Sequence, residues 1–329
     1  MKKDRSSNNI ILTVEGLKKY FPVRRGFFQS VIGWIKAVDG VDLVIHQGKT
    51  LGLVGESGCG KSTIGRLILK LLESDEGRII YKDQDISNLS DEAMKPLRKE
   101  MQIIFQDPYG SLNPRMTVGQ SIEEGLRAVG MKGDSERKKK VAHLLEMVRI
   151  SPNAAAFYPH QFSGGQRQRI GIARALGVNP SLIICDEPIS ALDVSIQSQI
   201  INLLKKLQNQ LGLSYLFISH DLNVVGYLSD TIAVMYLGHI MEYAPAEIFY
   251  DNPLHPYTLA LLSAVPAPEP DRHTLPSLVG DVPTPFNPPP GCKFQGRCPL
   301  VEDRCRKEEI GLYTVRAEHL VRCWKVIGD

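Results

Sequence analysis

The chain has 329 residues, 43% of them hydrophobic, which is enough to bury at least one large core and leaves room for two domains. Its formal net charge is only +3 and its sequence pI is about 8.4, a balance that argues against nucleic acid as a partner. No apolar run approaches the ~20 residues of a membrane-spanning helix, and the polar first nine residues precede no secretory apolar segment. We therefore expect a cytoplasmic protein that reaches any membrane through a partner.

Short apolar stretches mark the predicted strands, which in chain order cover 10–14, 37–45, 50–54, 101–105, 181–185, 215–219 and 231–236. Most are continuous apolar runs, as is typical of buried parallel strands. The third leads directly into glycines and then a predicted helix over 61–72, the order found in nucleotide-binding α/β units. The region from 117 to about 172 is mostly helical in pattern, with a break around 151–159. The basic run at 137–140 is interpreted as the solvated face of an amphipathic helix there.

The composition changes after Tyr250. Nine prolines between 266 and 290 exclude a continuous helix or interior strand and predict an extended linker. Four of the six cysteines follow it, in a segment too small to fold on its own core. Disulfides are rare in a reducing compartment, and zinc modules usually have closer cysteine pairs. Looser sets suit iron–sulfur clusters. Spacing alone leaves a cluster, a zinc site or free thiols open for Cys292, Cys298, Cys305 and Cys323.

The glycine loop after the third strand matches the phosphate-binding pattern G-x-x-x-x-G-K-[ST] in full. Its backbone N–H groups and the following helix N-terminus favour phosphate oxygens. Lys61 is predicted to neutralise the β- and γ-phosphates, Ser62 to bind Mg²⁺, and Thr63 to contact the α-phosphate. Chance occurrence is disfavoured by the strand before the loop and the helix after it. The predicted loop consists of Gly55, Glu56, Ser57, Gly58, Cys59, Gly60, Lys61 and Ser62.

A second nucleotide motif is the apolar strand that ends in Asp186 and Glu187. Beside a phosphate-binding loop, Asp186 is placed to hold Mg²⁺ and Glu187 to polarise an attacking water. Alone, such a strand end is often only a solvated terminus. The functional interpretation is favoured by a segment about twenty residues before Asp186. Its sequence is Phe162, Ser163, Gly164, Gly165, Gln166, Arg167 and Gln168.

That segment resembles the signature sequence of ATP-binding-cassette (ABC) ATPases, with Phe162 where most members have Leu. The resemblance implies an α/β ABC ATPase fold, with a RecA-like core, a β subdomain and a helical subdomain. It also implies a head-to-tail dimer with a second, homologous ATPase subunit. In such a dimer the serine, glycines and helix N-terminus of each signature cap the γ-phosphate on the other chain. Here the capping residues are Ser163, Gly164, Gly165 and Gln166.

The other landmarks of that family follow in order. Gln106 resembles the Q-loop glutamine that reaches Mg²⁺ and water, Asp193 ends a stretch that looks like the D-loop, and His220 resembles the switch histidine at the γ-phosphate. A lone histidine at a strand end is more often structural, so its role depends on the resemblance. Tyr20 is the candidate for stacking on adenine; Phe21 and Trp34 compete, because 24–36 looks like an insertion.

The resemblance narrows to oligopeptide and dipeptide importers through three stretches: 105–115 around the Q-loop, 252–262, and 291–299. The segments 19–22 and 51–63 are closer to the second, F-type ATPase subunit. We therefore predict an ABC ATPase domain over 10–245 (helical subdomain about 115–175), a proline-rich extension over 246–290 and a four-cysteine tail over 291–329.

The resemblance implies ATP, Mg²⁺ and a [4Fe–4S] cluster as cofactors. The implied partners are two transmembrane permease subunits and, indirectly, an extracellular peptide-binding protein, which places the chain at the cytoplasmic face of the membrane. The rival hypothesis is a soluble ABC ATPase that acts on nucleic acid or the ribosome. Such chains typically carry two cassettes or a long coiled coil between P-loop and signature, and this chain has neither.

Overall fold

The computed structural model describes residues 9–26, 29–264 and 283–327. Most of the predicted proline linker falls on 265–282, outside the described residues. Its described end, 283–290, contains no helix or extended strand and pairs with the segment around Ile35 through an isolated bridge at Phe286. The strands are β1 Ile10–Arg25, β2 Ser30–His46, β3 Thr50–Val54, β4 Glu76–Tyr81, β5 Gln84–Asp85, β6 Met101–Ile104, β7 Leu182–Asp186, β8 Ser214–Ser219, β9 Thr231–Tyr236, β10 His239–Pro245, β11 Tyr313–Arg316 and β12 His319–Val321.

The helices complete the inventory of regular elements. Two 3-10 turns, Pro152–Ala156 and Pro159–Gln161, lie at the predicted break in the helical region. The α-helices are α1 Lys61–Ile68, α2 Asp91–Glu100, α3 Pro108–Ser111, α4 Val118–Ala128, α5 Asp134–Met147, α6 Gly164–Leu176, α7 Val194–Leu211, α8 Leu222–Leu228, α9 Ala246–Asp251, α10 Pro256–Ser263, α11 Asp303–Lys307 and α12 Trp324–Ile327. None of these described helices has the length and apolar content that crossing a membrane requires.

The chain forms two compact units. The first contains 46–49, 88–218 and the start of β1. In it, β7 pairs in parallel with β6 on one side and with β8 on the other. Every residue of β7 and β8 is buried, which explains their continuous apolar sequences. Helices α2 to α7 belong to the same unit. The basic run lies on α5, which is amphipathic and buries Val141, Leu144 and Leu145.

The second unit contains the rest of β1, β2 to β5, and everything from Ser219 onward that is described. One sheet has the strand order β2-β1-β4-β5. Elsewhere in this unit β3 pairs in parallel with β9, which is followed outward by antiparallel β10, β12 and β11. The cysteine-bearing tail is therefore not a separate appendage, because its strand β12 pairs directly with β10.

Several element bounds differ from the sequence prediction. Strands β1 and β2 are much longer than their apolar runs, because pairing continues through polar residues such as Lys18, which bonds to Glu76 across the β1–β4 pair. The predicted helix over 61–72 ends at Ile68, because Lys70 takes a left-handed backbone conformation (φ 53°) that stops α-helical hydrogen bonding. Strand β6 ends one residue earlier than predicted, at Ile104.

Candidate functional site

The phosphate-binding loop lies in the second unit, between the fully buried strand β3 and helix α1. Two of its glycines are required by sterics. A Cβ on Gly55 (φ 152°) would lie 2.1 Å from the carbonyl oxygen of Met235, and one on Gly60 (φ 112°) would lie 1.9 Å from that of Ala37. At the tip of the loop, Ser57 and Gly58 are exposed. The backbone is thus anchored at both ends against neighbouring strands while its tip is open to solvent.

Lys61 is buried at the base of this loop. Its Nζ donates to the backbone oxygens of Gly55 at 2.7 Å and Glu56 at 2.9 Å, and lies 3.9 Å from Cys59 Sγ. Burial raises the pKa of the Cys59 thiol, so this cysteine is a neutral packing residue rather than a thiolate. The sequence-predicted lysine therefore lies where it can exchange loop carbonyls for phosphate oxygens. Ser62 and Thr63 follow it in the first turn of α1 and are partly exposed.

Tyr20, the adenine candidate, is partly exposed on β1 of the second unit. Its hydroxyl donates to Asp39 Oδ1 at 2.5 Å, and Lys36 Nζ lies 5.1 Å from its ring centroid. These contacts fix the ring and supply a cation near one face of it. His220, also in this unit, is exposed directly after β8. Its neighbour Asp221 caps α8 by accepting from two backbone N–H groups.

The Asp-Glu pair lies in the first unit at the carboxyl end of β7. Asp186 is buried at 4% exposure, and Glu187 is partly exposed. Glu187 has a φ of 46°, a left-handed conformation that is uncommon outside glycine and often found at functional sites. Its N–H donates to the oxygen of Ile218 at 3.0 Å, and its own oxygen accepts from the Ser190 hydroxyl at 3.1 Å. The backbone around Glu187 is thus held on both sides, which maintains the unfavourable φ.

The structure brings together Gln106 and Glu187, two of the predicted site residues. Gln106 Nε2 donates to Glu187 Oε2 at 3.4 Å. The chain then turns into α3, which Asp107 caps by accepting from the N–H groups of Tyr109 and Gly110. The exposed Tyr109 ring lies 3.6 Å from the guanidinium carbon of Arg167. The Q-loop therefore contacts the signature helix within the same unit.

The signature residues form the N-terminus of α6. Ser163 Oγ accepts from the N–H of Gln166 at 3.4 Å, and Gln166 Oε1 accepts from the N–H of Ser163 at 3.0 Å, a reciprocal capping box. Ser163 and Gln166 are exposed, so this positive helix end faces solvent. A Cβ on Gly165 would lie 2.4 Å from Ile196 of α7, whereas one on Gly164 would meet Leu192 at 3.3 Å.

The predicted D-loop connects β7 to α7 in the first unit. Asp193 is exposed and is the N-cap residue of α7, but its side chain makes no capping hydrogen bond. Its backbone oxygen instead accepts from the N–H groups of Ile196 and Gln197. The carboxylate of Asp193 is therefore not committed to capping its own helix, which leaves it available for the role that the resemblance implies.

The four tail cysteines line one small pocket in the second unit, together with residues such as Phe294, Arg322 and Trp324. Burial raises the pKa of Cys292 to about 11 and raises the pKa values of Cys298 and Cys323, so these thiols are protonated and must lose protons to bind a metal. Among the described residues, no three His, Cys, Asp or Glu side chains are arranged closely enough to hold a metal ion. The donor chemistry fits a thiolate-bound group, while the spacing of the side chains is not that of a closed metal site.

Sequence reasoning missed one ion pair at the phosphate-binding loop. Arg297 of the tail donates two hydrogen bonds to the carboxylate of Glu56, at 2.7 and 3.1 Å. The two residues are 241 positions apart, and no periodicity or spacing in the sequence connects them. The only available signal was the position of Arg297 immediately before Cys298, inside the stretch that carries the resemblance at the end of the chain.

Comparison with known proteins agrees with this geometry. Residues 38–190 match the family model described as ABC transporter, and 241–305 match the oligopeptide/dipeptide transporter C-terminal region. The oligopeptide transport ATP-binding protein AppF of Bacillus subtilis is 51% identical over 97% of this chain and 98% of its own length. Its counterpart OppF of Escherichia coli is 47% identical over 96% of each.

Solved structures give the same result for the fold. The dimeric post-hydrolysis structure of the ATP-binding cassette MJ0796, bound to ADP and Pi, has a TM-score of 0.64 and 29% identity. The aligned region covers 72% of this chain and 99% of the MJ0796 chain. A phosphate-binding loop, an Asp-Glu strand and a signature helix on this fold define an ABC-type ATPase. The chain belongs to the ABC transporter family, in the branch that carries the oligopeptide/dipeptide transporter C-terminal region.

Proposed function

We propose that this chain is the ATP-hydrolysing, F-type subunit of an ABC importer for peptides, bound at the cytoplasmic face of the membrane. One observation carries the proposal: a single chain combines the ABC transporter region with the oligopeptide/dipeptide transporter C-terminal region. The likeness to AppF and OppF extends over nearly the whole length and supports the F-type assignment. No residues for peptide recognition are expected here, since the permeases and the extracellular binding protein supply specificity.

In the proposed reaction, the backbone N–H groups of the phosphate-binding loop and Lys61 bind the phosphates of ATP, and Tyr20 stacks on the adenine. Ser62, Asp186 and Gln106 would hold Mg²⁺, which neutralises phosphate charge when bound. Glu187 accepts a hydrogen bond from an attacking water and draws its proton away as the γ-phosphate is transferred. His220 donates to the γ-phosphate oxygens. Catalysis is then mainly positioning and charge stabilisation.

The exposed signature end of α6 is proposed to act on a partner chain. Ser163, Gly164, Gly165 and Gln166 would cap the γ-phosphate held by a second, homologous ATPase subunit, with Asp193 crossing the interface. Closure around two ATP molecules then drives two permease subunits, because ATP binds the closed dimer more tightly than the open one. The accessible helix N-terminus and the uncommitted Asp193 carboxylate support this arrangement.

For the tail, we propose that Cys292, Cys298, Cys305 and Cys323 hold a [4Fe–4S] cluster as thiolates. Their shared pocket supports this proposal, as does the thiol-only donor set. The raised thiol pKa values imply that cluster uptake releases protons and is weaker at low pH. Because the pocket is lined by Cys305 of α11 and by Arg322 and Cys323 just after β12, ligation would also stabilise the tail.

Transport can be tested by co-expressing the chain with candidate permease genes and a homologous ATPase, and reconstituting the purified complex in vesicles. We expect ATP-dependent uptake of labelled di- or oligopeptides in the presence of the binding protein. Lys61→Ala should prevent both ATP binding and uptake, because it removes the charge directed at the phosphates. Uptake of a non-peptide solute in place of peptides would refute the importer assignment and leave the ATPase intact.

The cluster can be tested separately on anaerobically purified protein. We expect broad absorbance near ~400 nm and about four irons per chain, as a four-thiolate cubane requires. Cys305→Ser should lower the iron content, whereas Cys185→Ser, at a buried cysteine outside the tail, should not. One zinc and no iron per chain would overturn the cluster while leaving the ATPase function unaffected.

A further inference from the structure

A short stretch of the C-terminal tail, residues 292–298, contacts the phosphate-binding loop directly. We infer that Arg297 is a positioning residue of the ATP site, and that it sets ATP affinity by holding Glu56 of that loop. The inference rests on the phosphate-loop assignment made under the proposed function. It concerns residues of the second unit only, all of which are described.

Every hydrogen-bonding group of Glu56 is engaged. Its carboxylate accepts both Arg297 nitrogens at 2.7 and 3.1 Å, its N–H donates to the Tyr257 hydroxyl at 3.1 Å, and its carbonyl accepts from Lys61 at 2.9 Å. Two of these three contacts come from residues beyond the core ABC region, 201 and 241 positions away. The residue that orients Lys61 is therefore itself oriented by the C-terminal region.

The ion pair between Arg297 and Glu56 is largely shielded from water. The side chains are only 7% and 20% exposed, and the guanidinium lies 5.9 Å from the Tyr236 ring centroid. A two-pronged arginine–carboxylate contact is directional as well as strong, and shielding from solvent increases its strength. Hydrogen bonding to Glu56 raises the pKa of Arg297 further above its usual value, so the guanidinium stays charged across physiological pH.

An aromatic layer supports the two tail contacts. Phe294 packs against Tyr236 with ring centroids 5.4 Å apart and against Tyr257 at 5.3 Å, and Tyr236 contacts Tyr257 at 4.7 Å. Phe294 and Tyr257 are fully buried. Because buried aromatic rings pack in few orientations, this layer fixes the hydroxyl of Tyr257 and the backbone that carries Arg297.

The charges of Glu56 and Arg297 explain why this ion pair affects the affinity for ATP. Glu56 puts a carboxylate into a loop that must bind polyanionic phosphates, and Arg297 compensates that charge. Without Arg297 the carboxylate would be left half-buried and unpaired, which favours a different loop conformation and opposes phosphate binding. The same stretch also carries Cys292 and Cys298, which line the four-cysteine pocket. A ligand that orders the four-cysteine pocket should therefore strengthen ATP binding. ATP should in turn order residues 292–298.

Equilibrium binding of a fluorescent ATP analogue to the full chain tests the inference. Arg297→Gln should raise the Kd by roughly ten-fold, equivalent to ~1.4 kcal/mol, with kcat at saturating ATP changed less than the KM. Arg297→Lys should restore part of the affinity, since it keeps the charge but not the two-pronged geometry. Arg304→Gln is the matched control: Arg304 belongs to the same tail, lies 5.0 Å from the Trp324 ring and donates to the Trp324 oxygen, whereas both guanidinium hydrogen bonds to Glu56 come from Arg297. Its Kd should equal that of the wild type.

Two further measurements distinguish failure of the inference about Arg297 from failure of the phosphate-loop assignment. If Arg297→Gln folds poorly, Glu56→Gln breaks the same pair from the other side, and the double variant should bind ATP better than Arg297→Gln alone. Hydrogen exchange in 292–298 should slow with ATP in the wild type and not in Arg297→Gln. If Lys61→Ala weakens binding but Arg297→Gln and Arg304→Gln behave alike, the inference is wrong and the phosphate loop stands. If Lys61→Ala also binds normally, the loop assignment fails and the inference fails with it.

Discussion

Replacing Gly60 with alanine tests whether the phosphate-binding loop is fixed by contact with β2. Gly60 has a φ of 112°, and a Cβ there would lie 1.9 Å from the carbonyl oxygen of Ala37. Gly58 is the matched control, since it also has a positive φ, 78°, but a Cβ on it would meet nothing within 4 Å. Both variants carry a backbone penalty from the positive φ, and the main difference between them is the collision at position 60.

The expected costs follow from that difference. Gly58→Ala pays only the left-handed backbone penalty of ~1–2 kcal/mol. Gly60→Ala adds displacement of a strand carbonyl by more than an ångström, so we expect a total loss above ~3 kcal/mol. For a chain of this size, ~1 kcal/mol corresponds to a fall of ~2 °C in Tm. Gly60→Ala should also lose ATP binding, because the start of α1 and Lys61 must move.

The assay is thermal unfolding of both variants with and without ATP and Mg²⁺. Ligand should raise the Tm of wild type and of Gly58→Ala, and should leave that of Gly60→Ala unchanged. Equal destabilisation of the two variants would refute the steric argument. Normal ATP stabilisation of Gly60→Ala would show that the loop can shift away from Ala37 without loss of its phosphate-binding form.

Three further predictions concern catalysis, the dimer and pH. Glu187→Gln should bind ATP normally and lower phosphate release by ~100-fold or more, because the group that accepts the proton of water is gone; near-normal turnover would reassign the base. Ser163→Arg on one chain of a mixed dimer should abolish nucleotide trapping at the partner's site, and loss only at its own site would contradict head-to-tail packing. Burial lowers the pKa of His255 from 6.5 to about 4, so ~3 kcal/mol of stability should be lost as pH falls from 6.5 to 4, where only the unfolded state gains the proton. His255→Asn can still cap α10 but has no titrating ring. Its free energy of unfolding should therefore fall less than that of the wild type between pH 6.5 and 4.

The sequence predicted the nucleotide motifs well because each one is local. A glycine loop must follow a strand and begin a helix, and an Asp-Glu pair must end a buried strand, so residues such as Lys61 and Glu187 could be placed from their neighbours alone. In the structure Lys61 begins α1 and Glu187 follows β7, as those local patterns require. The contact between Gln106 and Glu187, 81 positions apart, had no local signal. The positive φ of Glu187 had no sequence signal, because nothing in its side chain favours it.

The tail was predicted less well because its organisation is non-local. Its cysteines were visible, but the pairing of β12 with β10 and the ion pair between Arg297 and Glu56 join residues dozens to hundreds of positions apart. Short strands with few apolar residues, such as β11, give no periodic pattern against which to predict them. The roles assigned to all of the site residues, Lys61 and Glu187 included, stay predictions.

The pairing of β12 with β10 also has a consequence for biosynthesis. Glu242 of β10 is fully buried and accepts from His319, 77 residues later, at 2.8 Å, as well as from the N–H groups of Leu254 and His255. During translation the outer edge of β10 stays unpaired until the ribosome has released residues 319–321. An unpaired edge strand is a template for aggregation while it waits. Chains stopped before His319 would therefore contain all of the nucleotide motifs and still expose the unpaired edge of β10, which favours aggregation.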